Sequence, residues 1–409
     1  MVFDTHSTIA VVGASLAGLR AAETLRGEGY GGRIVLIGAE THEPYDRPPL
    51  SKQLLAGTWG LDRVRLRDPE KIAALGLDLR LGHRAMALDV VGHTLELDDG
   101  DRVTFDGCVV ATGAHPRSLP DTAHLSGVHT LRTLEDCFAL GAEMTGDATR
   151  LVVVGAGFIG SEVAATCRGL GVQATVVEAL PVPLSRVLGD RIGAVCAALH
   201  TEHGVEVRTG VGVSRLVTEP SSTGERVTGV GLIDGSVIPA DVVVVGIGVV
   251  PTTDWLTGSG LDVDNGVRAD ATLHAADDVV VAGDMARWFD ERIGDEIRIE
   301  HWTNAAEQGV AAARSLLAGR RQAVSYSPVP YFWSDQYDTK IQMIGHPHPD
   351  DEIIVVDGTL EDRRFVALYG RAGKLTAAIG FGRPRQLMGF RPMVEAQVSL
   401  DEARAPRPA

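Results

Sequence analysis

A glycine-rich turn joining a short apolar strand to a helix occurs twice in this chain, and that repetition constrains the fold more than any other feature. Thr8 to Val12 runs into Gly13-Ala14-Ser15-Leu16-Ala17-Gly18 and a helical pattern to about Gly29; Arg33 to Ile37 follows as a second buried strand, with Glu40 just beyond it. The plan recurs at Leu151 to Val154, Gly155-Ala156-Gly157-Phe158-Ile159-Gly160, a helix to about Leu170, and a strand Ala174 to Val177 ending at Glu178. Two βαβ units of this kind predict an α/β protein with two Rossmann-like dinucleotide-binding domains.

The residue types explain the expectation. Glycines permit a tight turn and close approach of a pyrophosphate, the helix N-terminus stabilises its charge, and an acidic residue at the end of the second strand accepts the ribose hydroxyls. The second copy is complete, so Gly155, Gly157, Ile159, Gly160 and Glu178 are candidate nucleotide contacts. A carboxylate at Glu178 repels a 2′-phosphate, which favours NADH over NADPH. The first copy departs from the pattern, because Ser15 replaces the middle glycine; Gly13, Ser15, Ala17, Gly18 and Glu40 are its candidate contacts.

Further apolar strands end in glycine-rich turns: Cys108 to Ala111 before Thr112-Gly113, Val242 to Val245 before Gly246-Ile247-Gly248, and Val279 to Ala282 before Gly283-Asp284. Ligands of doubly wound sheets bind outside the carboxyl ends of the strands, so these turns are expected to line a cofactor cleft. Beyond Pro328, Lys340 to Ile344, Ile353 to Val356, Phe365 to Tyr369 and Leu375 to Ile379 read as strands of a small, largely antiparallel C-terminal domain. Between the two fingerprints, Pro48-Pro49 leads into a short helix ending at Gly57, with Lys52 in its first turn.

Composition narrows the class. The chain has 409 residues, room for two or three domains, and a formal charge of -16, which disfavours nucleic acid or an anionic membrane as a general partner. Met1 to Ile9 carries no basic leader pattern and no apolar run reaches the ~20 residues needed to span a bilayer, so the expected location is cytoplasmic. Cys108, Cys137, Cys167 and Cys196 show no paired spacing, which offers no redox dithiol, zinc cage or iron–sulfur ligand set, and no metal is expected.

The chain resembles the FAD-dependent reductases that serve ferredoxins and rubredoxins. The resemblance covers nearly its whole length and is carried by Arg47-Pro48-Pro49-Leu50-Ser51-Lys52, Leu131-Arg132-Thr133-Leu134-Glu135-Asp136, Gly246-Ile247-Gly248-Val249-Val250-Pro251, Gly283-Asp284, Glu300-His301-Trp302 and Tyr331-Phe332-Trp333-Ser334-Asp335-Gln336-Tyr337. It implies that the first fingerprint binds FAD, with contacts from Ala17, Glu40, Lys52, Ala85, Arg132, Asp284 and Trp302, and with Trp333 able to stack on or edge the flavin; Arg47, and Thr112, Gly113 and Gly283 of the strand-end turns, are further candidate cofactor contacts. It implies that the second binds NAD, with Glu178 and Arg186 near the adenosine; Arg117 and Gly248 are further candidate cofactor contacts. The implied domains are residues 1–114 and 248–327 for FAD, 115–247 for NAD, and 328–409 for a small α+β C-terminal domain.

The resemblance also implies a mechanism. Hydride passes from NADH to FAD, Lys52 stabilises the charge of the reduced flavin, and Glu162 pairs with Lys52. With no cysteine from Met1 to Gly107, a dithiol relay there is excluded, and electrons leave singly to a 2Fe-2S ferredoxin or a rubredoxin that feeds a cytochrome monooxygenase or a Rieske dioxygenase. An NADH oxidase or small-molecule reductase, and a non-catalytic NADH-sensing flavoprotein, are the alternatives. Monomer and homodimer both stay open. Gly382-Arg383-Pro384-Arg385, with Arg391, is a basic cluster that would suit an acidic ferredoxin.

Overall fold

The computed structural model describes residues 3–144, 148–222 and 224–405. The chain forms two compact units, the first from residues up to 46, 61–115 and 250–328, the second from 47–60, 116–249 and 329 onward.

The first unit is built on a six-stranded sheet in the order His274–Ala276, Val279–Val281, Gly107–Val110, Thr8–Val12, Arg33–Gly38, Asp78–Leu81. All pairings are parallel except that of the first two strands. Its four inner strands are nearly unbroken apolar runs because both faces are covered. Ile9, Val11, Ile34 and Leu36 pack against Leu25 of the helix Leu16–Gly27 and Ala312 and Leu316 of the helix Trp302–Ala318. Ala10, Val12, Val35 and Ile37 face the other way, onto Leu88, Leu95 and Val103. Those residues belong to an antiparallel meander of Ala85–Asp89, Thr94–Leu97 and Arg102–Thr104, which the sequence patterning did not place.

The second unit repeats the parallel plan, with strand order Glu206–Thr209, Gln173–Glu178, Arg150–Val154, Val242–Val245, Val128–His129. A second meander, Val213–Ser221, Gly224–Leu232 and Val237–Pro239, closes one face through Val227, Val230 and Ile238. The C-terminal residues form the expected antiparallel sheet, ordered Tyr331–Gln336, Thr339–Gly345, Lys374–Phe381, Arg364–Arg371, Glu352–Thr359. This sheet shares a core with the helix Ser185–Glu202: Leu188, Ile192 and Cys196 pack among Phe332, Ile341, Phe365 and Phe381. Phe332 also meets Phe158, at the start of the helix Phe158–Gly169, with ring centroids 4.6 Å apart. That contact sets the C-terminal sheet over the helix that carries Glu162.

One local expectation fails. The segment after Pro48-Pro49 is a single 3-10 turn, Pro48–Ser51, not a longer helix with Lys52 inside it. Lys52 follows the turn with φ -128 and ψ -103, values that take the chain out of any helix. Sequence reasoning credited the prolines with starting a helix and had no means of seeing that break.

Candidate active site

In the first unit the turn after Thr8–Val12 is fixed by the protein itself. Gly13 has φ +116, and a Cβ there would overlap the Ala111 carbonyl oxygen; a Cβ on Gly18 would overlap the Gly13 oxygen. Only glycine satisfies both demands. Ser15 caps the helix Leu16–Gly27 in extended geometry but makes no side-chain cap hydrogen bond, so the first-turn amides keep no side-chain acceptor. Gly283 lies against Ala17, its amide donating to Gln308 Oε1 at 2.8 Å. Thr112 donates to the Thr252 carbonyl at 2.8 Å, and Gly113 follows with φ +67. The structure therefore brings Gly13, Ala17, Gly18 and Gly283 together around one helix start.

The remaining first-unit candidates stand apart in character. The Glu40 carboxylate accepts the Tyr45 hydroxyl. The Asp284 carbonyl takes a hydrogen bond from Arg298 Nη1 at 2.9 Å. Trp302 opens the helix Trp302–Ala318, is 36% exposed, and donates its indole N–H to Asp46 Oδ1 at 2.6 Å. Asp46 is a partner that sequence reasoning missed. Ala85 is a core residue packed in the sheet–meander interface.

In the second unit Gly155 repeats the role of Gly13, with φ +99 and a Cβ position that would overlap the Gly246 oxygen. A Cβ on Gly160 would likewise overlap the Gly155 oxygen. A Cβ on Gly157 would meet nothing nearer than Gly246 O at 3.8 Å, which leaves open space at the N-cap of Phe158–Gly169. Glu178 Oε2 accepts the Ala156 amide at 2.9 Å and Oε1 the Leu180 amide at 2.8 Å, so the carboxylate is fixed beside the turn with lone pairs to spare. Ile159 and Arg186 are exposed. Arg117 donates its amide to the Gly248 carbonyl at 2.9 Å. Each turn thus fits a dinucleotide phosphate through a helix start without a side-chain cap and an acidic acceptor at or just past the strand end, and the second adds room at its middle position.

Lys52 and Glu162 meet as a buried ion pair in this same unit, Nζ to Oε2 at 2.6 Å, with side chains only 11% and 7% exposed. Ser51 Oγ donates to the same Oε2 at 2.5 Å and Ser334 Oγ donates to Oε1 at 2.8 Å. Both serines were missed as site residues. Arg47 donates to the Arg132 carbonyl. The Leu131-to-Asp136 motif owes its pattern largely to a capping box: Thr133 Oγ1 accepts the Asp136 amide at 3.1 Å, and Asp136 accepts the Arg132 and Thr133 amides at 2.8 and 2.9 Å. Trp333 is half-buried and stacks near Tyr331, centroids 6.2 Å apart.

All four cysteines are free and buried. Burial pushes the thiols of Cys108, Cys167 and Cys196 up to about 12 and that of Cys137, with Asp136 adding to the effect, to about 11. Among the described residues, His83, Asp98 and Asp99 have metal-ligand spacing, but His83 Nδ1 meets Asp99 Oδ2 directly at 3.0 Å on the surface.

Two such turns with two acidic acceptors define a protein that handles a pair of dinucleotides. The family described as pyridine nucleotide-disulphide oxidoreductase matches residues 7–309, and one described as reductase C-terminal matches residues 331–409. Rhodocoxin reductase of Rhodococcus erythropolis is 36% identical, over 97% of this chain and 92% of its own length. Putidaredoxin reductase of Pseudomonas putida is 34% identical, over 98% and 96%. The crystal structure of the covalent putidaredoxin reductase–putidaredoxin complex superposes with a TM-score of 0.91 at 33% identity, covering 97% of this chain and 94% of that one. The chain belongs to the pyridine nucleotide-disulphide oxidoreductases, in their FAD-dependent ferredoxin reductase branch.

Proposed function

We propose that this protein is an NADH-dependent ferredoxin reductase of the cytoplasm, supplying electrons to a 2Fe-2S ferredoxin that feeds an oxygenase. The observation that carries the reading is the buried Lys52–Glu162 pair. It occupies the segment in which dithiol flavoproteins of this fold keep their reactive cysteines, and the cysteines here are buried elsewhere. FAD supplies the conversion of a two-electron hydride from NADH into single electrons.

The chain's own residues do the rest. Residues 1–114 and 248–327 would hold FAD through the Gly13 turn, Glu40, Gly283 and Asp284, while 115–247 would hold NADH through the Gly155 turn. Glu178, pinned by two backbone amides, presents a fixed anion that accepts ribose hydroxyls and rejects a 2′-phosphate. Lys52 would offer a cation to the negative charge of bound, reduced FAD, and Glu162 holds that ammonium and balances it. No helix among the described residues is long and apolar enough to cross a membrane.

The test is steady-state NADH oxidation with purified 2Fe-2S ferredoxins and rubredoxins, read by coupled cytochrome c reduction. Ferredoxin-dependent turnover on the order of 10 per second, with slow oxygen consumption, is expected. Equal rates with oxygen alone would make the protein an oxidase. Turnover below about one per minute with every acceptor would make it a sensor.

A further inference from the structure

Glu162 is held from two sides by segments far apart in the chain. Oε2 receives Lys52 and Ser51, neighbours at the end of the Pro48–Ser51 turn; Oε1 receives Ser334, from the strand Tyr331–Gln336. That strand buries Phe332, Ser334 and Gln336 on one face, and Ser334 and Gln336 are fully inaccessible there. Two polar side chains on the buried face of a strand are costly unless something uses them.

Their hydrogen bonds give the direction. Gln336 Nε2 donates to Ser334 Oγ at 3.3 Å, which occupies a serine lone pair and leaves the hydroxyl proton for Glu162. A carboxylate held only at Oε2 turns freely about its terminal torsion, which is broad for glutamate. A second donor on Oε1, mounted on a strand whose neighbour Phe332 is wedged against Phe158, removes that freedom.

We propose that Ser334 is a positioning residue for hydride transfer, locking the Glu162 carboxylate so that Lys52 is held in one place with its charge matched. The inference rests on the reading that the Lys52–Glu162 pair serves the flavin. It gives the C-terminal sheet a part in the reduction of the flavin.

The experiment compares the FAD-loaded parent with Ser334→Ala, Glu162→Gln, the double variant and Lys52→Met. Two quantities are read: the rate of flavin reduction by NADH in single turnover, and the flavin midpoint potential. Ser334→Ala is expected to slow reduction by about three- to tenfold, with the NADH dissociation constant changed less than about twofold. It should also move the potential in the same direction as Glu162→Gln, by less. Its effects should shrink markedly in the Glu162→Gln background, where the side-chain oxygen that accepts the Ser334 hydroxyl no longer carries a charge to match to Lys52. Ser334→Thr, which keeps the hydroxyl, should restore the parent rate; if Ser334→Ala does not fold, Ser334→Cys carries the same comparison. An unaltered rate and potential in Ser334→Ala, with Lys52→Met altering both, overturns the inference and leaves the reading intact. An equal effect of Ser334→Ala with and without Glu162→Gln also overturns it. If Lys52→Met changes neither quantity, the reading and the inference fall together.

Discussion

The two glycine turns perform one task with different middle residues, Ser15 in the first and Gly157 in the second, and the difference separates what the protein needs from what the ligand needs. The outer glycines of both turns, Gly13 and Gly18, Gly155 and Gly160, are dictated by the chain's own backbone, since a Cβ at any of them would overlap a carbonyl oxygen. The middle position meets no such obstacle, with 3.8 Å of clearance at Gly157. On the proposed reading only an approaching pyrophosphate would restrict it, which accords with the small polar Ser15 at that place in the first turn.

The sharpest way to break this comparison is to add one methyl at each position of the second turn. Gly155→Ala joins a left-handed φ to a backbone overlap and is expected to cost about 3 kcal/mol or more, read as a large fall in thermal stability with loss of NADH binding. Gly157→Ala should leave stability within about 1 kcal/mol of the parent while raising the NADH KM. Equal melting losses in the two variants would show that the middle glycine is structural after all.

A smaller effect is expected at the acidic residues that close the two turns. Glu178→Gln should raise activity with NADPH relative to NADH by about tenfold, equivalent to about 1.4 kcal/mol, while Glu40→Gln should weaken FAD retention and leave the coenzyme ratio alone. A coenzyme ratio that moves with Glu40 and stays put with Glu178 would exchange the assignments of the two repeats.

Smallest of all should be Ser15→Gly. Because Ser15 makes no side-chain cap bond, glycine there should cost only a few tenths of a kcal/mol in stability and change FAD affinity less than about threefold. A loss beyond about 1 kcal/mol in FAD binding would mean that the hydroxyl itself holds the phosphate.

The parts of this molecule that were legible beforehand are those where local pattern and global role coincide. Thr8–Val12 and Val242–Val245 match their expected limits because strands buried on both faces are unbroken apolar runs bounded by turns. The two meanders escaped notice because their strands mix exposed and buried residues without a clean alternation. Thr133 and Asp136 carried a readable capping signature that was absorbed into a motif instead. Ser334 illustrates the harder limit. Its partner lies 172 positions away, and the only local signal was the sequence Phe-Ser-Gln on alternating positions of a strand, two polar residues where the buried face calls for apolar ones. Lys52 and Glu162 were paired through resemblance, since no spacing rule joins a loop lysine to a helical glutamate 110 positions on.

The state of the cysteines reaches beyond the absence of a dithiol relay. With thiols displaced to about 11 or 12, the reactive anion amounts to roughly one part in ten thousand or less at neutral pH, and every cysteine sulfur is shielded by packing. On the proposed reading the protein works beside an oxygenase, which releases peroxide and superoxide whenever it misfires. Such oxidants would find the cysteines closed to them and would meet sulfur first at the exposed Met86 and Met388, where a sulfoxide leaves the thiols untouched.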